Sequence, residues 1–174
     1  VEEECPTSRG AHYAAAHYQP TAAIIGEPSD WDRITLGYKG TLVAKYTLAQ
    51  EVEHSSSPGQ TVVEKAVDIW LKARAFAEEW NAGQPRSFQS LDPSLRAIGS
   101  SDDGLQERAT VTIAYRVPLN CLLENLKAKM EAWQENGELT FINEEPPYQA
   151  VRNTPLVRVF LQAIRDEGGQ PRFA

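Results

Sequence analysis

Leu42-Val43-Ala44-Lys45-Tyr46-Thr47-Leu48 is the stretch on which the fold of this chain turns. Leu42, Ala44, Tyr46 and Leu48 fall at every second position, with Lys45 and Thr47 between them. Side chains of a strand alternate between its two faces, so the pattern predicts a long, half-buried strand over 34–53. Ser55-Ser56-Ser57-Pro58-Gly59 breaks it. Thr61-Val62-Val63-Glu64 then has the spacing of a capping box, in which the threonine oxygen takes an amide three residues on and the glutamate reaches back. A helix is predicted from there to Asn81-Ala82-Gly83, with Val63, Ala66, Val67, Trp70, Phe76 and Trp80 along its apolar stripe.

Working outward, 87–99 reads as a second strand, an edge or a bulged one because Pro93 cannot donate to a ladder. Asp102-Asp103-Gly104 is turn chemistry. Ala109, Val111, Ile113 and Tyr115 alternate with Thr110, Thr112 and Arg116 to give a third strand. A helix follows over 120–134, with Leu123, Leu126, Met130 and Trp133 at 3-4-3 spacing, and a short strand over 139–143 closes the series. Strand, helix, strand, strand, helix, strand is the order of the split ferredoxin-like arrangement, an α+β fold with two helices on one face of an antiparallel sheet. Such a sheet leaves a face and at least one edge to be managed, often by a second copy.

The flanks read differently. A short helix is predicted over 8–16, with Ser8 a candidate cap and Ala11, Ala14 and Ala15 packing against a neighbour. The apolar run 21–26 suits a buried strand of an α/β sheet, and ligands collect where such strands end. After Glu144-Glu145-Pro146-Pro147, Thr154 caps a helix with Pro155 at its first position. That helix is expected to bury Leu156, Val159, Phe160 and Ile164 and to stop at Gly168-Gly169, with a new strand beginning over 170–174. The chain thus divides into 1–33, 34–146 and 147–174, and both ends are expected to be cut from a larger domain.

Composition narrows the classes. Apolar residues make up 41% of the 174 and charged residues 24%, a globular balance. A formal net charge of −7 excludes binding to nucleic acid or an anionic membrane, both of which need clustered Lys and Arg. Cys5 and Cys121 lie too far apart for a zinc finger and give no disulfide framework, which points to a reducing cytoplasm. No apolar stretch approaches the ~20 residues that span a bilayer.

Two acidic groups could carry chemistry. Glu2, Glu3 and Glu4 open the chain, and Glu27 follows a predicted strand in Gly26-Glu27-Pro28. Carboxylates hold zinc-type ions at about 2.0–2.2 Å, and one can serve as a base. A solvated acidic run and a solvated loop glutamate are the plainer alternative, since a regular strand sends neighbouring side chains to opposite faces. His54, at the end of a predicted strand, is either an exposed loop histidine or a group that donates to an oxyanion, polarises a carbonyl or binds metal. His12 and His17 read as structural or exposed, and Trp70, Trp80 and Trp133 as core or interface.

Taken in order, Val1-Glu2-Glu3-Glu4, Ser8-Arg9-Gly10-Ala11, Ile24-Ile25-Gly26-Glu27-Pro28-Ser29, Gly37-Tyr38-Lys39-Gly40 and Glu53-His54-Ser55-Ser56-Ser57-Pro58 resemble the acetylornithine deacetylase / succinyl-diaminopimelate desuccinylase family of zinc metallopeptidases. Tyr115-Arg116-Val117-Pro118, Pro147-Tyr148 and Asn153-Thr154-Pro155-Leu156-Val157-Arg158 are most similar to its acetyl-lysine deacetylase branch, which hydrolyses carrier-linked lysine in lysine biosynthesis. The resemblance implies a two-domain amidohydrolase. Residues 1–33 and 147–174 would be parts of an α/β catalytic domain with one or two zinc ions, and 34–146 a ferredoxin-like lid that forms a homodimer. Glu3 would be the general base, Glu4 and Glu27 metal ligands, and His54 would hold the reacting carbonyl, in this family typically in the partner subunit's site. Asp103 and Arg116 are candidate substrate contacts, the substrate being a small acylated amino acid or a carrier-linked lysine.

The family's N-terminal histidine, bridging aspartate and last histidine have no counterparts among these residues. The chain by itself is therefore expected to bind zinc weakly or not at all and to act mainly as the dimerisation module. A free-standing ferredoxin-like interaction module without catalysis is the alternative. A nucleic-acid-binding version fails on charge and lacks the stacking aromatics such sheets carry.

Overall fold

The computed structural model describes residues 8–26, 30–52, 59–83, 88–134 and 137–173. In chain order the elements are α1 (Arg9–His17), β1 (Arg33–Ile34), β2 (Gly37–Tyr38), β3 (Gly40–Glu51), α2 (Val62–Trp80), β4 (Asp92–Asp102), β5 (Gln106–Val117), α3 (Leu123–Glu131), β6 (Gly137–Glu145), β7 (Tyr148–Gln149), α4 (Pro155–Asp166) and β8 (Arg172–Phe173). They form two units, Tyr38–Gln149 and, separately, Val1–Gly37 with Ala150–Ala174.

Within Tyr38–Gln149 the period-two stretch is β3, and it is a central strand. The sheet order is β4-β5-β3-β6, and every neighbouring pair is antiparallel. Leu42, Ala44, Tyr46 and Leu48 are all buried, as the alternation predicts. From β5, Ala109, Val111, Ile113, Tyr115 and Val117 join them on the same face. Burying a leucine or isoleucine side chain stabilises by about 1.5–3 kcal/mol, so this shared face dominates the unit. The order of strands and helices is the one read from the sequence, and the chain is a mixed α/β structure with a small antiparallel sheet.

The capping box at the start of α2 is complete. Glu64 N donates to Thr61 Oγ1 at 3.2 Å, and Thr61 N donates to Glu64 Oε2 at 2.8 Å. The stripe that faces the sheet is Val62, Ala66, Ile69, Ala73 and Ala77, which keeps Ala66 of the expected residues, with Trp70, Phe76 and Trp80 partly buried against the core. Val63 and Val67 are each 39% exposed instead. Three alanines on the inner stripe let the helix axis sit close to the sheet, and the valines turn sideways. Leu126 and Met130 carry the buried face of α3.

Several boundaries differ from expectation. The predicted single strand over 34–53 is three pieces, β1, β2 and β3. At Gly40 a Cβ would lie 2.5 Å from the Glu145 carbonyl oxygen, so the chain passes there only because the residue lacks one. The predicted strand 87–99 is observed as Asp92–Asp102, at the sheet edge and bulged between Leu95 and Ala97. The last strand is longer than 139–143, and its register shifts between Val43 and Ala44.

In the other unit, β1 and β8 pair in parallel, and Arg172 Nη2 reaches Asp32 Oδ2 at 2.8 Å. Thr154 Oγ1 caps α4 by accepting from Val157 N at 3.2 Å, and Pro155 takes the first helical position. Val157 and Ile164 are the buried residues of α4, whereas Val159 is 65% exposed, a correction to the predicted stripe. Two further expectations fail. No residue of α1 is buried, so Ala11, Ala14 and Ala15 pack against nothing described, and Ser8 lies at φ 46° without a side-chain cap bond. The run 21–26 is exposed coil and not a strand. A continuous apolar run becomes a strand only where neighbours supply ladder partners and cover both faces, and none among the described residues does so.

Two buried tyrosines give a contrast to measure. Tyr46 Oη donates to the Met130 carbonyl oxygen at 3.0 Å, while Tyr115 Oη has no hydrogen-bond partner among the described residues. Tyr46→Phe is expected to lose about 1 kcal/mol, and Tyr115→Phe to be neutral or stabilising, in urea unfolding monitored by fluorescence.

Candidate functional site

The chain runs on from β3 toward His54 at one end of the sheet, and the structure shows what surrounds the end of β3. Val52 N donates to the Leu105 carbonyl oxygen at 3.0 Å, which ties the end of β3 to the turn between β4 and β5. Gln50 Nε2 donates to Glu107 Oε1 at 2.7 Å, and Lys65 Nζ donates to Gln50 Oε1 at 2.6 Å. This end of the sheet therefore gathers the exit of β3, the first turn of α2 and the β4–β5 turn. Residues 53–58, His54 among them, lie outside the described residues, as do Glu3, Glu4 and Glu27.

Asp103 sits in that turn. Its Oδ1 accepts from Gln106 N at 2.8 Å and from Leu105 N at 3.0 Å. Asp102 Oδ1 accepts from Gly104 N at 2.6 Å, and Gly104 takes φ +84°, where a side chain would be strained. The backbone amides of Gln106 and then Leu105 hold the Asp103 carboxyl below its ordinary range. One carboxylate oxygen is thus committed to shaping the turn. Leu105, beside it, is 80% exposed at the tip.

Arg116 is at the other end. It lies opposite Asp92 and Thr41 in the sheet, and its Nη1 donates to Thr41 Oγ1 at 3.1 Å. Ten residues of β5 separate it from Gln106, about 34 Å of extended strand, so Arg116 and Asp103 of one chain do not share a small substrate. Near Arg116 the structure holds a cluster that the sequence reading missed. Lys39 Nζ donates to the Ser90 carbonyl oxygen at 2.7 Å, to Ser90 Oγ at 2.9 Å and to Asp92 Oδ2 at 2.6 Å. Ser90 is buried, and Lys39 is shared between it and Asp92, so the cluster anchors the start of β4. Beside it is a hollow of about 300 Å³ lined by Trp70, Arg74, Glu78, Asn81 and Pro93 among others. Lys39 and Ser90 are 51 residues apart, and no local pattern announces the pair.

Metal ligands are the remaining question. Among the described residues no group of three or more His, Cys, Asp or Glu side chains could hold an ion. His17 is engaged locally, stacked on Tyr13 with its Nδ1 2.8 Å from the Tyr13 carbonyl oxygen. Cys121 is buried, and that burial pushes its thiol up, away from the thiolate a ligand or nucleophile needs. No helix among the described residues is long and apolar enough to cross a membrane.

The comparisons with known proteins agree with one another. No family model matches the chain. It is 35% identical to a LysW-lysine hydrolase of Deinococcus radiodurans, over 99% of this chain and 49% of that protein. It is 30% identical to a putative LysW-lysine/LysW-ornithine hydrolase of Pyrococcus furiosus, over 89% of this chain and 41% of that one. The fold resembles that of an M20-family metallo-carboxypeptidase from Sulfolobus solfataricus, with TM-score 0.58 and 14% identity over 79% of this chain and 45% of that structure. In sequence the chain is thus similar to hydrolases named for carrier-linked lysine, and in fold to a metallo-carboxypeptidase. It spans about half the length, or less, of the curated relatives it matches.

The turn offers a measurement of its own. Stability that rests on the ionised Asp103 is present above the ordinary aspartate pKa of about 3.9 and is lost as pH falls through the lower folded value. The Leu105 and Gln106 amide resonances are expected to move together in an NMR titration with an apparent pKa below 3.9. Asp103→Asn should abolish that step, and an unshifted midpoint would show that the carboxylate does not hold the turn.

Proposed function

We propose that this chain is part of a metal-dependent amidohydrolase that releases a lysine-class amino acid from an amide, the amine being carried by a carrier protein or bearing a small acyl group. The observation that supports this most is the likeness, over nearly all of the chain, to hydrolases named for carrier-linked lysine. In this reading 34–146 is a ferredoxin-like lid and dimerisation domain, for which the βαββαβ order and antiparallel pairing speak. Residues 1–33 and 147–174 are pieces of the catalytic α/β domain, and the parallel β1–β8 pair is in keeping with that.

The site residues follow the motifs. Glu4 and Glu27 are proposed as ligands of zinc, which when bound supplies the positive charge that acidifies water and steadies an oxyanion. Glu3 takes the proton from the attacking water and passes it to the departing amine. His54 donates to the developing oxyanion from the lid side. Asp103 stands at the same sheet end as the exit of β3 toward His54, and its second carboxylate oxygen suits a cationic amine. Arg116, at the far end, can only serve a site other than the one Asp103 faces.

The test is an assay of a longer protein that contains this chain, supplied with zinc and offered acetyl-lysine, acetylornithine and carrier-linked lysine. Carrier-linked lysine is expected to turn over fastest. Glu3→Gln should lower kcat by about 10²-fold or more with zinc content unchanged, and His54→Ala by about 10²–10³-fold. Failure to hydrolyse any of the three amides would leave only the non-catalytic module.

A further inference from the structure

A second hollow, of about 40 Å³, opens between α2 and Trp133, just past the end of α3. Leu48 and Ile69 are its buried apolar part, and Lys65, Lys72, Asp68 and Trp133 also line it. Asp68 is already engaged, since Gln60 Nε2 donates to its Oδ2 at 2.9 Å. Lys65 Nζ is held at 2.6 Å by Gln50 Oε1, a neutral acceptor that fixes the amine without balancing its charge. Lys129 extends the same strip. Its Nζ lies 5.7 Å from the centre of the Phe76 ring, and Phe76 meets Trp133 edge-on with ring centroids 6.0 Å apart. Among the described residues neither Lys65 nor Lys129 has a carboxylate partner. In a chain of formal net charge −7, three lysines beside one engaged aspartate make a local cationic strip with an aromatic wall.

The size of the hollow selects what can enter it. It admits one carboxylate and not a whole amino acid. A free carboxylate on solvated lysines gains too little to stay bound. Several carboxylates on one polypeptide do better, because each one after the first binds in effect within a single complex. Phe76 and Trp133, both partly buried, offer apolar surface to a side chain set between those carboxylates. An acidic polypeptide stretch with an interleaved apolar residue therefore suits this strip better than a small anion does.

We infer that the groove between α2 and α3 docks an acidic stretch of the carrier polypeptide, with one of its carboxylates in the hollow beside Lys65 and Lys72. Leu48 and the Gln50–Lys65 bond put the hollow at the sheet end from which β3 runs on toward His54. A carrier held there keeps its linked amino acid at that end. This rests on the reading that the substrate amide is carrier-linked, and adds where the carrier is gripped and by which residues.

The test titrates LysW, the carrier in the relatives' names, into the isotope-labelled whole chain at low salt. The Trp133 indole resonance is expected to shift together with the Lys65 and Lys72 amides, and added salt should weaken binding. Lys65→Glu with Lys129→Glu should raise the Kd about tenfold, while Lys129→Arg and Lys45→Glu, the latter on the opposite face of the sheet, should leave it unchanged. Circular dichroism confirms that each variant folds. In a longer protein that contains the chain, Lys129→Glu should raise KM for carrier-linked lysine about threefold and leave KM for acetyl-lysine unchanged, since the small amide does not reach the strip. LysW that binds without moving Trp133, or binds the double variant at full affinity, would overturn the docking site and leave the substrate reading standing. LysW that fails to bind, while a short peptide of glutamate and leucine shifts Trp133, would overturn the carrier as occupant. Binding of neither would overturn the groove itself. Hydrolysis of no amide would overturn the substrate reading, and the titration would then decide the groove by itself.

Discussion

The register of β3 against β5 is the constraint on which the remaining structure depends. The pairing runs from Gly40 with Val117 to Glu51 with Gln106 without a break. A slip by one residue would carry Leu42, Ala44, Tyr46 and Leu48 to the open face and Lys45 into the core. Because β3 and β5 are the two central strands, that single alignment fixes which face α2 and α3 cover. It also fixes where each strand ends, and so which loops share an end of the sheet. The proximity of the Asp103 turn to the exit of β3 is a direct result.

Much of this was legible because it rests on local rules. Period-two alternation in β3 and β5, the Thr61–Glu64 box and the Thr154-Pro155 start are short-range patterns with short-range causes, and each appears as read. What escaped has longer-range causes. The inner stripe of α2 was misread in part because Val63 and Val67 outweigh Ala73 and Ala77 in hydrophobicity, while the close approach of a helix to a sheet favours the alanines. The run 21–26 was read as a strand from composition, but a strand exists only with neighbours. Lys39 meets Ser90 and Asp92 through the topology, which no window of sequence contains.

The candidate site divides in the same way. Glu3, Glu4, Glu27 and His54 were proposed from ordered motifs, and the relatives that the chain is similar to are hydrolases named for carrier-linked lysine. Asp103 and Arg116 were proposed as substrate contacts from the same resemblance. The strand between them now shows that they belong to opposite ends of one sheet, a fact about length that residue chemistry could not supply.

The two places where the chain passes between units have a kinetic meaning. Arg33 pairs with Arg172, partners separated by nearly the whole sequence. Closing a flexible loop of that length is entropically costly and slow. Once the strands of Tyr38–Gln149 have paired, β2 and β7 lie side by side, and the chain between them and the β1–β8 pair is 35–36 on one side and 150–171, with α4, on the other. Folding of the inserted unit thus brings the segments that flank it near one another. Its folding turns a contact of very high order into one that closes over little more than α4 and its flanks.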